Sequence, residues 1–259
     1  MPESTETIEL ASVDGVATIT LDRPAKLNSF NQQMCDEVAA TWAWIREDDD
    51  VRAVVLRANG ERAFSTGVDV TDPHDRHPNP FAEVDPGIFL GPKANRVWKP
   101  VVTAVHGMAC GGAFYWINES DVLLCSDDAE FFDPHVTYGL TAALEPIGLL
   151  HRIPLGEVLR IALFGLDERV TAEKALAIGL VSEVLPRADL WGRAEVLARR
   201  LAAKPAAAVQ GTVRAIWESL DLPRSVALER GLAYTQLGNP LGKAEVDRAT
   251  VERPEPERR

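Results

Sequence analysis

The sequence predicts an α/β fold in which helices pack on a twisted sheet and a helical region follows at the C-terminus. Three observations support this prediction. Short β-branched runs alternate with helix-like segments over the first two thirds of the chain. The last third is almost purely helical in its apolar period. The 259 residues are 46% apolar, enough to form a core without disulfides or metal ions.

The predicted elements follow in chain order. Asp14-Gly15 forms a hairpin turn between two β-rich runs, and Ser29 with Gln32 forms a capping box for the first helix. Gly238 and Pro240 are expected to end the last helix. The predicted strands are residues 7–10, 16–21, 51–56, 101–105, 122–125 and 129–132. The predicted helices are residues 30–47, 158–164, 172–178, 190–203, 206–220 and 225–237.

Charge and cysteine content exclude several classes of protein. The chain has 27 Lys and Arg against 39 Asp and Glu, a formal net charge of −12, which argues against a nucleic-acid partner. Its three cysteines give neither a disulfide framework nor a metal-ligand pattern, so we predict no metal site and expect the reducing cytoplasm. The N-terminus lacks a signal-peptide pattern, and no apolar run is long enough to span a bilayer.

Two glycine-containing loops follow buried strand runs and carry the predicted chemistry. One spans residues 61–70 and contains Gly67, and the other spans residues 106–114 and contains Gly111 and Gly112. Glycine lets a substrate approach the main chain, and an N–H at the start of a helix is an unpaired donor. Two such amides that converge on one carbonyl oxygen would form an oxyanion hole. A purely structural role in turns or packing is the alternative for each glycine.

Four segments together resemble the crotonase superfamily, the enoyl-CoA hydratase/isomerase proteins. Residues 63–69, Ala-Phe-Ser-Thr-Gly-Val-Asp, are similar to the family's Ala-Phe-Ser-Ala-Gly-x-Asp motif. Residues 99–112 are similar to its Lys-Pro-x-Ile-Ala-Ala-Val-x-Gly-x-Ala-x-Gly-Gly segment, and residues 21–30 and 172–181 are similar to two further signatures. The similarity runs in the correct order from about residue 8 to about residue 240.

This resemblance implies a crotonase-type ββα spiral core with a C-terminal helical region that forms trimers, often paired into hexamers. Residues 1–185 would be the core that binds acyl-CoA, residues 186–250 the trimerisation region, and residues 251–259 a flexible tail. The implied partners are an acyl-CoA substrate and further copies of the chain, as a homotrimer or a dimer of trimers. No cofactor is implied beyond the CoA moiety, and neither nucleic acid nor membrane is expected.

The resemblance also implies site residues position by position. The amides of Val68 and Gly112 match the pair that polarises the thioester carbonyl. The residues that match the family's adenine and pantetheine path are Lys26, Leu27, Ala63, Ser65, Gly67 and Asp69. Lys26 is expected to neutralise a CoA phosphate, with a solvated lysine as the alternative. Lys243 is a second phosphate candidate, from the C-terminal region.

The sequence departs from the family at both positions where the hydratases carry acid-base glutamates. Tyr115 stands three residues after Gly112, and His135 follows the proline of Asp133-Pro134-His135. Histidine titrates near neutral pH, which suits proton transfer, whereas tyrosine is a poor base that can still orient a water. We therefore take His135 as the leading acid-base candidate. For His135 a structural role is the alternative, and for Tyr115 a place in the pocket wall.

Weaker candidates lie around the same positions. Glu145 starts a helix and Glu119 lies one turn past Tyr115, while Asp133 either faces the way His135 does or orients its loop. His74 and His77 belong to a Pro- and Asp-rich stretch, residues 71–92, that we interpret as a loop or lid shaping acyl specificity rather than a metal site.

The predicted function is therefore that of an acyl-CoA-processing enzyme that stabilises a thioester enolate or oxyanion. Because both glutamates are replaced, hydration is not the only reaction to consider. The alternatives are isomerisation, decarboxylation or hydrolysis of a CoA ester, and non-catalytic binding of such an ester.

Overall fold

The computed structural model describes residues 2–72, 79–82, 84–247, 249, 251 and 255–258. The chain divides into two compact units, one that ends at Ala202 and one that begins at Ala203. Within the described ranges, none of the helices combines the length and the hydrophobicity that crossing a bilayer requires. Of the predicted tail, residues 252–254 and 259 lie outside the described residues.

Two sheets form the first unit. The strands of its described residues are β1 Ile8–Val13, β2 Val16–Leu21, β3 Ala53–Ala58, β4 Ala63–Ser65, β5 Val101–Val105, β6 Met108–Cys110, β7 Val122–Ser126, β8 Glu130–Phe132, β9 Val170–Thr171 and β10 Glu183–Leu185. The larger sheet has the order β1-β2-β3-β5-β7-β10, and the smaller has the order β4-β6-β8-β9. Only β1 in the larger sheet and β9 in the smaller sheet pair antiparallel with their neighbours in these described residues.

The predicted hairpin between β1 and β2 is confirmed. Its two turn residues have positive φ angles, 51° at Asp14 and 79° at Gly15. Positive φ at both central residues gives a turn whose twist matches that of the strands it joins. The turn sets a register in which Ile8 pairs with Leu21 and Val13 pairs with Val16.

Eight α-helices lie among the remaining described residues. They are α1 Gln32–Glu47, α2 Phe114–Glu119, α3 Leu144–Leu149, α4 Leu155–Phe164, α5 Ala172–Ala177, α6 Arg187–Ala202, α7 Ala206–Ser219 and α8 Arg224–Ala244. The predicted cap of α1 is wrong, because Asn31 Oδ1 accepts the N–H of Met34 at 3.1 Å. The Ser29 hydroxyl instead donates to the carbonyl of Lys26 at 2.8 Å.

Both faces of the larger sheet are buried at its central strands. Alternate residues of a strand point to opposite faces, so Val54 and Leu56 of β3 join one apolar cluster and Ala53 and Val55 join another. The second cluster is completed by a stripe of α6 residues at helical spacing, Leu190, Ala194, Ala198 and Ala202. The helix α6, which the sequence analysis assigned to the trimerisation region, thus packs on the sheet and belongs to the unit that ends at Ala202.

The second unit contains α7 and α8, which pack on each other. The helix α8 continues through Gly238 and Pro240, so the prediction that these residues end it is wrong. A Cβ atom at Gly238 would lie 3.2 Å from the carbonyl oxygen of Ala207, and one at Gly242 would lie 3.2 Å from the Cβ of Ala208. Close packing on α7 therefore stabilises the last two turns of α8 despite the proline.

Candidate functional site

The two glycine loops meet at one end of the smaller sheet. Strands β4 and β6 are parallel neighbours, so the loops that leave them start side by side. Gly67 has a φ of +82°, and a Cβ atom there would lie 2.7 Å from the amide nitrogen of Gly112. Only glycine fits this contact, because a side chain would be both strained and in collision with backbone.

Phe30 holds the predicted oxyanion residues together. Its N–H donates to the carbonyl of Gly67, and its carbonyl accepts from the N–H of Asp69, both at 2.8 Å. These two bonds use the groups on either side of Val68, and neither uses the Val68 amide. The Phe30 ring packs on the backbone of Gly112, where a Cβ atom would lie 2.5 Å from Cε1. The backbones of Val68 and Gly112 are thus brought together, as the oxyanion prediction requires.

Asp69 anchors the first loop. Its carboxylate is 4% exposed and bonds Arg23 at 3.0 Å, while the Thr71 N–H and hydroxyl donate to its other oxygen. Burial raises the pKa of Asp69, but the hydrogen bonds from Thr71 and Arg23 outweigh burial and lower that pKa overall. The carboxylate is therefore committed to the loop.

Other residues of the predicted CoA path are also engaged within the loop. The Ser65 hydroxyl is fully buried and donates to the carbonyl of Asn28 at 2.8 Å. The Asn28 side chain donates to the carbonyl of Ala63 at 3.1 Å, a role for Asn28 that the sequence analysis missed. The sequence could have indicated this role, because asparagine tolerates a positive φ and the φ of Asn28 is 53°.

The first part of the predicted path lies nearer the surface. Lys26 is exposed and donates to the Thr71 hydroxyl at 3.0 Å, and Leu27 is half-buried with a φ of 54°. A lysine held by a neutral hydroxyl keeps its full charge for another partner. Lys243 is exposed near the end of α8 in the second unit.

His135 lies between two acidic side chains. A short 3₁₀ helix, His135–Tyr138, follows β8, and Asp133 just before it is 1% exposed. The Asp133 carboxylate accepts the backbone N–H of His135 at 3.0 Å and contacts Nδ1 at 2.5 Å. Because an ionised carboxylate only accepts, Nδ1 donates to Asp133, and Nε2 is the ring nitrogen that can gain or lose a proton. Nε2 lies 3.9 Å from Oε1 of Glu145, which is 7% exposed.

This environment changes the protonation of both groups. The hydrogen bond to Asp133 raises the pKa of His135, opposed in part by burial and supported by the charges of Asp133, Glu145 and Asp85. Burial raises the pKa of Glu145 above its usual value. A base and an acid with raised pKa values therefore stand 3.9 Å apart.

The His135 ring also lies against the second glycine loop. Gly111 has a φ of +53°, and a Cβ atom there would lie 3.7 Å from Cε1 of His135. The structure therefore brings His135 to the loop of the predicted oxyanion amide at Gly112. Glu145 joins them because the Asn118 side chain, on α2, donates to the Glu145 carbonyl at 2.9 Å.

Tyr115 lies on α2 and bonds a residue that sequence reasoning missed. Its hydroxyl donates to Oδ2 of Asp85 at 2.9 Å, and Oδ1 of Asp85 accepts the N–H of Gly87 at 2.8 Å. Burial, then the charges of Glu145 and Asp85, raise the pKa of Tyr115 far above its usual value, so the phenol stays neutral. The available signal was Asp85 before Pro86, which is typical of the capped start of a helical turn.

Of the other three candidates, the structure describes only Glu119. The Glu119 carboxylate accepts the N–H groups of Lys93 and Ala94, so it anchors that loop rather than the pocket floor. His74 and His77 lie outside the described residues.

Asp133, His135 and Glu145 also form the set of described residues best placed to hold a metal ion. One ligand atom from each lies within 4.8 Å of the others. The sequence analysis predicted no metal site, because neither the cysteines nor His74 and His77 gave a metal-ligand pattern. The bond between Asp133 and Nδ1 occupies one ligand atom of each residue, which leaves Nε2 and Glu145 to face a bound molecule.

Comparisons with known proteins agree with this fold. The enoyl-CoA hydratase/isomerase family profile matches residues 12–239. The chain is 32% identical over 224 residues to (E)-benzylidenesuccinyl-CoA hydratase of Thauera aromatica, covering 86% of this chain and 85% of that protein. It is 31% identical over 198 residues to carnitinyl-CoA dehydratase of Escherichia coli (strain K12), covering 76% and 74%.

A solved structure gives the same result. The chain matches the crystal structure of an enoyl-CoA hydratase/isomerase from Mycobacterium paratuberculosis with a TM-score of 0.82 and 33% identity, over 90% of each chain. The predicted crotonase-type fold is confirmed by this match. The chain therefore belongs to the enoyl-CoA hydratase/isomerase family of acyl-CoA enzymes, within the crotonase superfamily.

Proposed function

We propose that the protein adds water to, or removes water from, the α,β-bond of a CoA thioester, with His135 and Glu145 in place of the two family glutamates. The observation that carries this proposal is the 3.9 Å separation of Nε2 and Oε1, beside the Gly111-Gly112 loop. That gap is too long for a direct hydrogen bond and suits one water or hydroxyl held by both groups. Relatives named as a hydratase and a dehydratase support the same reaction.

The proposed steps start from the form of the pair in which its single proton lies on Glu145 and His135 is neutral. Neutral His135 takes a proton from the water at Nε2 while the water oxygen bonds to the β-carbon. The resulting enolate oxygen accepts hydrogen bonds from the Val68 and Gly112 amides. Protonated Glu145 then gives its proton to the α-carbon, and dehydration is the reverse. Asp133 holds the ring and stabilises the imidazolium. The next cycle starts when the proton on His135 returns to Glu145.

Binding of CoA is proposed along the same path as in the family. Lys26 provides a positive charge at the surface for a CoA phosphate, and the backbone of residues 63–69 lines the route to the thioester. No resident metal or further cofactor takes part in the proposed steps. The net charge of −12 describes the whole protein, whereas binding of a CoA phosphate depends on the local positive charge at Lys26.

Hydrolysis of a CoA ester is the second candidate, and one observation favours it. The contact of 2.5 Å between Asp133 and His135 makes a single polarised base, which is enough to activate a water for attack on a carbonyl. Glu145 would then protonate the leaving group. Isomerisation and decarboxylation need only one proton-transfer group and use the same oxyanion amides.

A panel of CoA esters distinguishes these reactions. The protein is incubated with enoyl-, β-ketoacyl- and malonyl-type CoA esters in the presence of a chelator, and product masses are followed. We expect an enoyl ester to gain the mass of one water and keep its CoA. Free CoA selects hydrolysis, loss of CO₂ selects decarboxylation, and an unchanged mass with a shifted double bond selects isomerisation. Binding without any turnover selects a non-catalytic protein.

We also propose that the protein forms a homotrimer or a dimer of trimers in the cytoplasm. The second unit supports the assembly, because a groove of about 610 Å³ between α7 and α8 is largely apolar. Its residues Ile216, Leu228 and Leu232 are 61%, 59% and 60% exposed, an apolar face that suits burial against another copy. Cys35, Cys110 and Cys125 are free thiols, as expected for the cytoplasm. Light scattering after size-exclusion chromatography tests the oligomeric state.

A further inference from the structure

We propose that Asp85 is a positioning residue that makes Tyr115 a hydrogen-bond acceptor toward the bound molecule. The inference rests on the proposed function, since it assigns the Tyr115 oxygen to the reacting water or to the β-hydroxyl that this water becomes. It gives a role to the residue that stands at one of the two missing glutamate positions.

The Asp85 carboxylate is fixed through both of its oxygens. Oδ1 accepts the N–H of Gly87 at 2.8 Å and caps the 3₁₀ helix Pro86–Leu90, and Oδ2 accepts the Tyr115 hydroxyl at 2.9 Å. Although Asp85 is exposed, these two bonds set its orientation relative to the phenol. The carboxylate cannot rotate to another partner without losing its cap.

The Tyr115 ring is also held in place. A Cβ atom at Gly87 would lie 2.5 Å from Cε2 of Tyr115, so the ring packs directly on the backbone of residue 87. On another side the ring meets Phe30 edge to face, with 6.4 Å between ring centroids. The same Phe30 ring contacts Gly112, which connects Tyr115 to the predicted oxyanion loop.

This arrangement fixes whether the Tyr115 hydroxyl donates or accepts hydrogen bonds, which we call its polarity. A tyrosine hydroxyl has one proton to donate, and Tyr115 gives it to a carboxylate that has no proton to return. The phenol oxygen can then only accept from a third group. The charged groups that act on this phenol are Glu145, Asp85 and Asp133, and each of them opposes its ionisation. A bound molecule must therefore present an O–H or N–H to Tyr115.

A reacting water satisfies this requirement. It has two protons, one of which goes to Nε2 of His135 and the other of which is held by the Tyr115 oxygen. A β-hydroxyacyl ester offers the same O–H, whereas a β-ketoacyl ester offers only an acceptor. Tyr115 with Asp85 thus discriminates between these two classes of ester.

Substitution of Asp85 by asparagine reverses the predicted polarity with almost no change in shape. In Asp85→Asn the amide oxygen still accepts from Gly87, because that N–H must face an acceptor. The amide NH₂ then donates to Tyr115, whose own proton turns toward the bound molecule. Asparagine is as good a helix cap as aspartate, so the fold is retained. Tyr115→Phe removes the hydroxyl, so that residue 115 neither donates nor accepts. The double variant of Tyr115→Phe and Asp85→Asn serves as the matched control.

The first measurement is calorimetric titration with two esters that cannot be dehydrated. They are the α,α-dimethyl forms of β-hydroxybutyryl-CoA and acetoacetyl-CoA, which have no α-hydrogen to lose. The wild-type protein is expected to prefer the hydroxy ester by about fivefold, the value of one net hydrogen bond. Asp85→Asn is expected to prefer the keto ester, and Tyr115→Phe to bind both alike with or without Asp85→Asn.

The second measurement needs no ligand. Ultraviolet titration of the tyrosines, with Tyr115→Phe as the reference, follows ionisation of Tyr115. Asp85→Asn should lower the pH at which Tyr115 ionises, because it removes a carboxylate that accepts from the phenol. If neither ester binds, an unchanged ionisation of Tyr115 in Asp85→Asn overturns the inference.

The two proposals fail in different ways. Absence of turnover on the whole ester panel, with the reversal of preference intact, overturns the hydration reaction and leaves the role of Asp85. Water addition by the wild-type protein with no reversal in Asp85→Asn overturns the role of Asp85 alone. An effect of Asp85→Asn that persists in Tyr115→Phe shows that Asp85 acts without Tyr115, and this also overturns the inference.

Discussion

The two sides of the candidate site differ in how their polar groups are used. On the side of the first glycine loop, the side chains of Asn28, Ser65 and Asp69 are all buried. They form hydrogen bonds that hold this loop in place. On the proton-transfer side, burial raises the pKa of Glu145, and Oδ2 of Asp133 has no partner in the described part of the chain. Buried polar atoms without partners are rare in folded proteins, and a functional role is one explanation for them.

This difference explains where the family resemblance is strongest. The matching motifs contain the residues that shape the backbone, such as Gly67 and the Asp69 pair, and any enzyme that needs the same loops keeps them. The positions that depart from the family, Tyr115 and His135, lie on the other side. A close motif match therefore reports the oxyanion loops and leaves the reaction open.

Removal of the proposed base, His135, is the strongest test of the difference between the two sides of the site. His135→Ala should lower kcat by about 10²-fold or more, the usual contribution of a general acid-base group, while binding of the CoA ester survives. Steady-state kinetics and a binding titration measure the two effects. His151→Ala, at an exposed histidine of the same unit, is the control and should leave kcat unchanged. Wild-type turnover in His135→Ala would remove His135 from the mechanism.

Substitution in the oxyanion loop should have the next largest effect. Gly67→Ala places a Cβ atom 2.7 Å from the Gly112 amide at a φ of +82°, and should lower kcat about tenfold or more by moving that amide. Gly179→Ala is a matched control, because Gly179 has the same φ and nothing within 4 Å of its Cβ position. Both variants should lose about 1–3 kcal/mol of stability from backbone strain, and only the first should lose activity. Equal kcat values for the two would contradict the loop contact.

The pH dependence of kcat tests the base and acid together. With one proton on the His135–Glu145 pair the site is active, so kcat should be bell-shaped in pH. Below the raised pKa of Glu145 both groups are protonated and the base is lost. Above the raised pKa of His135 neither holds a proton and the acid is lost. Asp133→Asn removes the bond that raises the pKa of His135, so its alkaline limb should move to lower pH.

Glu145→Gln provides the complementary profile. It should abolish the alkaline limb, because the acid whose loss causes that limb is absent, and leave a single limb that rises with pH as His135 becomes neutral, at a lower maximal kcat. An alkaline limb that stays in place in Asp133→Asn would show that another group sets it.

The smallest effect on activity should come from the loop side. Asp69→Asn breaks the ion pair with Arg23 and should lower the free energy of unfolding by about 1–3 kcal/mol with little change in kcat. The pKa of Asp69 is lowered in the folded state, so its contribution is complete above the unfolded-state pKa and disappears as the pH falls through the folded-state pKa. Denaturant unfolding should show the largest difference from wild type at neutral pH and a smaller one in acid.

Local patterns predicted the strands better than the helix ends. Val101–Val105 and Val16–Leu21 have the predicted bounds, because β-branched runs between turn residues favour the strand over the helix. The start of α1 was wrong because Ser29 and Asn31 are both good caps, and a bond from Ser29 to Lys26 decides between them. Local rules end α8 at Pro240, whereas packing on α7 carries it further.

The site was predictable only where the chain brings residues together locally. Asp133 and His135 are two residues apart, and their pairing follows from one turn of chain. Glu145 and Asp85 reach the same place through α3 and the Pro86–Leu90 helix, and nothing in their own segments indicates it. Those contacts depend on how distant elements pack, which a single sequence does not reveal.

The short helix α2 sets a fixed length in this site. Gly112 lies two residues before it, in the turn Gly111–Ala113, Tyr115 is its second residue, and Asn118 near its end holds the carbonyl of Glu145. Six residues of α-helix span about 9 Å, so α2 sets the distance between the amide proposed to bind the thioester oxygen and the residue proposed as the acid. Insertion of one residue into α2 would rotate the residues that follow it by about 100° about the helix axis. Asn118, and with it Glu145, would then move away from Gly112. Fewer than two turns of helix therefore separate the two groups on which the proposed reaction depends.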